Sequence, residues 1–104
     1  MAYRRICLLQ WDPAVPGSRL DDFYAWAAEA FRNAPFPRAE QGRATGDGEF
    51  DWYYAVDFDT KQELDGWNDC EFHKAYSVQI GGAWANPDVP RMFLNAASIQ
   101  IELT

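Results

Sequence analysis

Residues 50–58 read Phe50-Asp51-Trp52-Tyr53-Tyr54-Ala55-Val56-Asp57-Phe58. Phe50, Trp52, Tyr54, Val56 and Phe58 alternate with Asp51, Tyr53, Ala55 and Asp57. That period of two is the mark of a strand whose faces meet different surroundings. The first set is strongly apolar and the second is mixed. Just upstream, Gly46-Asp47-Gly48 reads as a turn, and Arg38 to Thr45 as a polar strand leading into it. The two strands then form a hairpin.

Working outward, Tyr3 to Trp11 carries Ile6-Cys7-Leu8-Leu9 and predicts a first strand, broken by Asp12-Pro13 and Pro16-Gly17. Ser18 stands where an N-cap belongs, with Asp21 and Asp22 after it. Leu20, Phe23, Tyr24, Ala27 and Phe31 recur at helical spacing, until Pro35 and Pro37 end the pattern. Beyond the hairpin, Asp59 or Thr60 caps a second helix with Leu64 and Trp67 inward. Asn68-Asp69 interrupts it. A further helical stretch carries Phe72, His73, Tyr76 and Ile80, ending at Gly81-Gly82. A loop with Pro87 and Pro90 leads to a last strand, Met92 to Leu103. There Phe93, Asn95, Ala97, Ile99, Ile101 and Leu103 alternate with Met92, Leu94, Ala96, Ser98, Gln100 and Glu102.

The order is β-α-β-β-α-β, a ferredoxin-like α+β arrangement with a four-stranded antiparallel sheet, in one domain over residues 1–104. Two helices cover only one face of such a sheet. Tyr53 and Ala55 on the other face are not a fully solvated pattern, so a second copy is expected there, as a homodimer; the alternative is a polar sheet in a monomer.

The chain has 104 residues, 48% hydrophobic and 24% charged, which suits one globular domain. Its 5 Trp, 5 Tyr and 7 Phe serve either a bulky core or a pocket for a flat ligand. A net charge of −7 argues against a nucleic-acid partner. Cys7 and Cys70 form no Cys-x-x-Cys pair, and with one histidine they offer no zinc set. No metal or cofactor is expected. Met-Ala-Tyr-Arg-Arg-Ile runs straight into the first strand pattern, and no apolar run is long enough for a membrane. Cytoplasm is the expected compartment.

The strand Tyr53-Tyr54-Ala55-Val56-Asp57-Phe58-Asp59 and the stretch Leu64-Asp65-Gly66-Trp67-Asn68-Asp69-Cys70-Glu71-Phe72-His73 carry a resemblance that, with the element order, covers almost the whole chain. The chain resembles the dimeric α/β-barrel proteins of the stress-responsive, Dabb type. Among them it is most similar to the small polyketide cyclases and the RedY-like and HapK-like proteins of prodigiosin and bisindole biosynthesis. Many members carry His-Pro-x-His where this chain has Cys70-Glu71-Phe72-His73, so only the final histidine is kept. The resemblance implies a dimeric barrel, a pocket between sheet and helices, and a general base at His73. The tyrosine that assists in a plant cyclase of this fold falls on Trp67, which has no phenol to offer. Mapped onto this chain, the pocket face carries Arg5, Cys7, Leu9, Tyr24, Trp52, Tyr54, Val56, Trp67 and His73.

The residues themselves add candidates. A neutral imidazole takes and returns a proton near neutral pH, which suits His73, the single histidine. Glu71 or Asp69 either tunes it or sits in a solvated turn. Arg5 either anchors an anionic or carbonyl group or joins a salt bridge. Trp52, Tyr54 and Trp67 either stack on a ligand or pack the core. Tyr54 and Tyr24 are the phenols that could replace the missing tyrosine, and Trp84 is a candidate lid. Cys70 stands three residues from His73, although no third group orients the pair.

The expected function is a cofactor-independent cyclase or tailoring enzyme of secondary metabolism. Its substrate would be an aromatic intermediate, a bisindole or pyrrole by the resemblance, with His73 as acid and base. The alternatives are a cofactor-free monooxygenase of aromatic polyketides and a non-catalytic carrier for a reactive aromatic metabolite.

Overall fold

The fold was described from a computed structural model, which covers residues 2–82 and 91–104. Trp84 and the Pro87 and Pro90 loop therefore lie outside the described residues. Four strands, β1 (Ala2–Trp11), β2 (Arg38–Arg43), β3 (Trp52–Phe58) and β4 (Phe93–Leu103), form one antiparallel sheet in the order β2-β3-β1-β4. Helix α1 (Gly17–Arg32) follows β1. After β3 come α2 (Lys61–Asp65), a 3₁₀ turn (Trp67–Asp69), α3 (Glu71–Ser77) and a π-helical turn (Val78–Gly82). This is the expected β-α-β-β-α-β order.

Strand alternation sets the layers. β1 pairs with β3 so that Cys7 faces Tyr54 and Leu9 faces Trp52, all turned toward the helices. These residues are buried, with Phe23, Ala27 and Phe31 of α1 closing over them. Trp52 is 1% exposed and stacks with both Trp11 and Tyr76, while Phe23 and Phe31 meet its edges. Its indole N–H donates to Gln41 at 2.7 Å, so burial leaves no polar group unpaired. Trp52 thus packs the core and presents no open face to a ligand.

Three local expectations are corrected. Helix α1 begins after Pro16, with no side-chain cap; Ser18 and its hydroxyl lie within the first turn instead. Proline fits there because its fixed φ and missing N–H cost a helix start nothing. Asp21 and Asp22 fall past that turn. In β4 the alternation is broken by a bulge: Gln10 pairs with Asn95 but Trp11 pairs with Phe93, leaving Leu94 as the extra residue. Phe93 therefore packs against the core, while Asn95 turns to the other face and donates to Gln10 at 2.8 Å.

The opposite sheet face carries Arg4, Ile6 and Leu8 beside Tyr53, Ala55 and Asp57 of β3, and Ala97, Ile99 and Ile101 of β4. No helix covers it. Arg4 and Asp57 make a two-pronged ion pair there, at 2.6 and 3.0 Å. Beside them Ile6, Leu8, Ala97, Ser98 and Ile99 line an apolar depression of about 220 Å³. Ile99 is 56% exposed.

Candidate functional site

The second helical segment is broken, and the break builds the site. Thr60 caps α2: its Oγ1 accepts from the Glu63 N–H at 3.2 Å and donates to the Glu63 carboxylate at 3.0 Å. The helix lasts only to Asp65. Cys70 is extended, and its Sγ accepts from the His73 N–H at 3.4 Å, starting α3 afresh. On one unbroken helix, six residues separate side chains by roughly 120° around the axis. With the break, the Trp67 and His73 rings meet edge to face, 5.3 Å apart. Tyr76, one turn on, meets His73 at 5.8 Å.

The sheet supplies the other half. Arg5 and Tyr54 lie on the helix-facing side of β1 and β3. The Tyr54 phenol oxygen accepts from Arg5 Nε at 3.1 Å and from Trp67 Nε1 at 3.2 Å. A phenol oxygen has two acceptor sites and one proton. Both acceptor sites are filled, so the Tyr54 proton is free to donate elsewhere, toward the Cys7 side. Burial, then the neighbouring Cys7, pushes the Tyr54 pKa up to about 12. Burial also raises the Cys7 thiol, partly offset by Arg5 and Tyr54, and raises the Tyr76 phenol. All three stay protonated at neutral pH.

His73 is half-buried, and its pKa is lowered, first by burial and then by the Arg5 charge. The Asn68 carbonyl, as a hydrogen-bond partner, and Asp69 pull it back up. The imidazole is thus held neutral. A neutral imidazole carries one N–H and keeps a lone pair on its other nitrogen. Ser77 Oγ lies 3.5 Å from His73 Nδ1.

The cluster lies beside an open edge. β4 packs chiefly against β1. Ala96, Ser98, Gln100 and Glu102, on its helix-facing side, are exposed. Gln100 is the cross-strand neighbour of Arg5. It also lines a recess of about 210 Å³ with Tyr3, Lys61, Leu64, Asp65, Ile101 and Glu102. Small-molecule pockets usually run from roughly 300 to 1,000 Å³, so this recess is smaller than a typical one.

Several expected residues are placed elsewhere. Glu71 projects into solvent, its side chain 93% exposed, and pairs with Lys74 at 3.5 Å. The helix puts residues two apart on different faces, so Glu71 cannot serve His73. Tyr24 lies in a different group: its phenol accepts from Trp11 Nε1 at 2.7 Å and its ring lies under Arg43. Cys70 caps a helix. Arg5 forms no ion pair with a carboxylate among the described residues. Arg5, Cys7, Tyr54, Trp67 and His73 do come together. Sequence reasoning missed Tyr76 and Ser77 as neighbours, although their spacing of three and four from His73 was the available signal. Among the described residues no three His, Cys, Asp or Glu side chains gather as a metal site would need.

No protein-family model matches the chain, and no curated protein matches it. Solved structures do. A dimeric ferredoxin-like protein of unknown function from Thermobifida fusca YX superimposes with a TM-score of 0.76 at 19% identity, over 99% of this chain and 92% of that one. The fold is ferredoxin-like. A dimeric protein of unknown function with a ferredoxin-like fold, from Bacteroides fragilis, gives 0.76 at 15% identity, over 98% and 96%. A Dabb family protein from Mesorhizobium loti gives 0.67 at 14% identity, over 99% and 97%. At these identities the likeness is one of fold, and it carries no activity. Among the described residues no helix is long and apolar enough to cross a membrane.

Proposed function

We propose that this chain is a cofactor-independent catalyst of proton transfer on an aromatic small molecule. Its reaction is a ring closure of the cyclase kind, and its setting is secondary metabolism. The observation that carries the reading is a neutral His73 imidazole and a protonated Tyr54 phenol that share Trp67 and Tyr76 as neighbours, on the side of the sheet where β4 is exposed. His73 takes a proton from the bound substrate and Tyr54 donates to the oxygen where charge develops. Holding both substrate ends in one cleft supplies proximity. A bisindole or pyrrole is the substrate class the family resemblance suggests. One ring system enters the recess under α2, and the other lies along β4.

The protein works as a homodimer in this reading, with the Ile6, Leu8, Ala97 and Ile99 face covered by a second copy. The dimeric solved neighbours and the exposed apolar depression support it. Two free thiols suit the cytoplasm.

The test is incubation with bisindoles, oligopyrroles and phenolic polyketides, followed by mass analysis, with His73→Ala beside the native protein. A His73-dependent product of unchanged or water-depleted mass is expected. A product gaining oxygen points instead to a monooxygenase. Saturable binding with no product points to a carrier, a reading favoured by the absence of a carboxylate orienting His73 from Glu71. Absence of both binding and product across all three classes contradicts the proposal.

A further inference from the structure

Arg5 is one of four basic residues, with Arg19, Arg43 and Arg91, that make no ion pair among the described residues, and of these it is the one bonded to the Tyr54 phenol. Asp and Glu number 16 against 9 Lys and Arg. Arg4, Arg32, Arg38, Lys61 and Lys74 each pair with a carboxylate. Arg5 is half-buried on the helix side of the sheet, and among the described residues no carboxylate meets it. Its strand partners there are Val56 and Gln100, both uncharged. Glu102 stands on the same face, opposite Tyr3, and makes no ion pair with it. Removing a charge from water without a partner is costly.

The surrounding groups cannot supply the missing negative charge. Cys7, Tyr54 and Tyr76 are the acidic side chains around Arg5, and each is held in its neutral form by burial. His73 is neutral too, and Asp69, the carboxylate that acts on it, makes no ion pair with Arg5 among the described residues. One prong of the guanidinium is already committed, because Nε donates to Tyr54. The two terminal nitrogens remain for a planar oxyanion, which an arginine fork grips better than a lysine does.

We infer that the site selects an aromatic monoanion, with a carboxylate or enolate oxygen seated on the Arg5 fork and the ring lying along the exposed helix-side face of β4. This rests on the proposed aromatic cleft and names the charge of what enters it. Gln100 offers its amide to the same oxygen from across the strand. A second negative charge on the ligand is disfavoured by Glu102 in the recess alongside, where Asp65 is already paired with Lys61.

The experiment is calorimetric titration of the full chain with indole-3-acetate, indole-3-acetamide, tryptamine and inorganic phosphate. The Trp67 indole N–H resonance reports where each probe sits. The anion is expected to bind at least tenfold tighter than the amide and to shift Trp67. Tryptamine and phosphate are expected to bind more weakly still. Arg5→Met should abolish the preference, and Arg5→Lys should keep part of it, which separates lost charge from a misfolded site. Equal binding of anion and amide overturns the inference while leaving the aromatic cleft standing. Tighter binding of tryptamine, or phosphate binding as well as the aromatic anion, also overturns it. If none of the four binds, the inference and the aromatic cleft fall together.

Discussion

The Trp67 indole donates to the Tyr54 phenol at 3.2 Å, within the layer where sheet and helices meet. It joins an element from the broken second helix to the central β3 strand. Trp67→Phe keeps a ring among Phe36, Phe58 and Phe72 but removes the donor. The expected loss is about 1–3 kcal/mol, combining a lost buried hydrogen bond with a small cavity. Urea unfolding measures it. A loss below about 0.5 kcal/mol contradicts the assigned contact.

Much of the fold was legible because alternation is a local signal. Trp52 to Phe58 and Ile6 to Leu9 alternate plainly, and their observed registers follow. Phe23, Ala27 and Phe31 did the same for α1. What escaped depends on the tertiary structure. The bulge at Leu94 is visible only once Gln10 and Trp11 have partners. The site was half legible. Arg5 and Tyr54 share the helix-facing side, as strand parity indicates, and His73 lies next to Trp67, where only the resemblance had put it. Glu71 and Tyr24 were chosen by nearness in sequence or by helix face. Neither criterion says which side of a re-started helix, or which end of a sheet, a side chain reaches.

Glu71 lies in solvent, so Glu71→Gln should leave the His73 titration unchanged within error. A shift of the His73 midpoint on this substitution would place Glu71 in the site after all. By contrast, Trp52→Ala removes a ring packed on four sides by aromatic neighbours. A loss of about 3–5 kcal/mol is expected. Thermal or urea unfolding checks it, and a near-silent change contradicts its place in the core.

The uncovered sheet face makes a prediction about assembly. Ile99→Lys puts a charge on its apolar part without touching the helix-side core. Sedimentation should show the native chain as a dimer and the variant as a monomer with the same circular dichroism. A native monomer contradicts the proposed pairing.

His73 also links stability to pH. Its folded pKa lies below the ordinary 6.5, so between those two values the unfolded chain binds more protons than the folded one. Stability therefore rises with pH through that window and is lost as pH falls from 6.5 toward the folded value. His73→Gln should flatten this part of the profile. An unchanged slope means that some other group produces it.

The most direct test of the central claim uses the fact that the chain has one histidine, so its imidazole resonances need no assignment. They should be titrated by proton NMR in the native chain and in Arg5→Met. The account predicts a native midpoint below 6.5 that moves upward when the Arg5 charge is removed, while burial still holds it below a free imidazole. A native midpoint at or above 6.5, unmoved by Arg5→Met, would mean that His73 is not the neutral base beside Arg5.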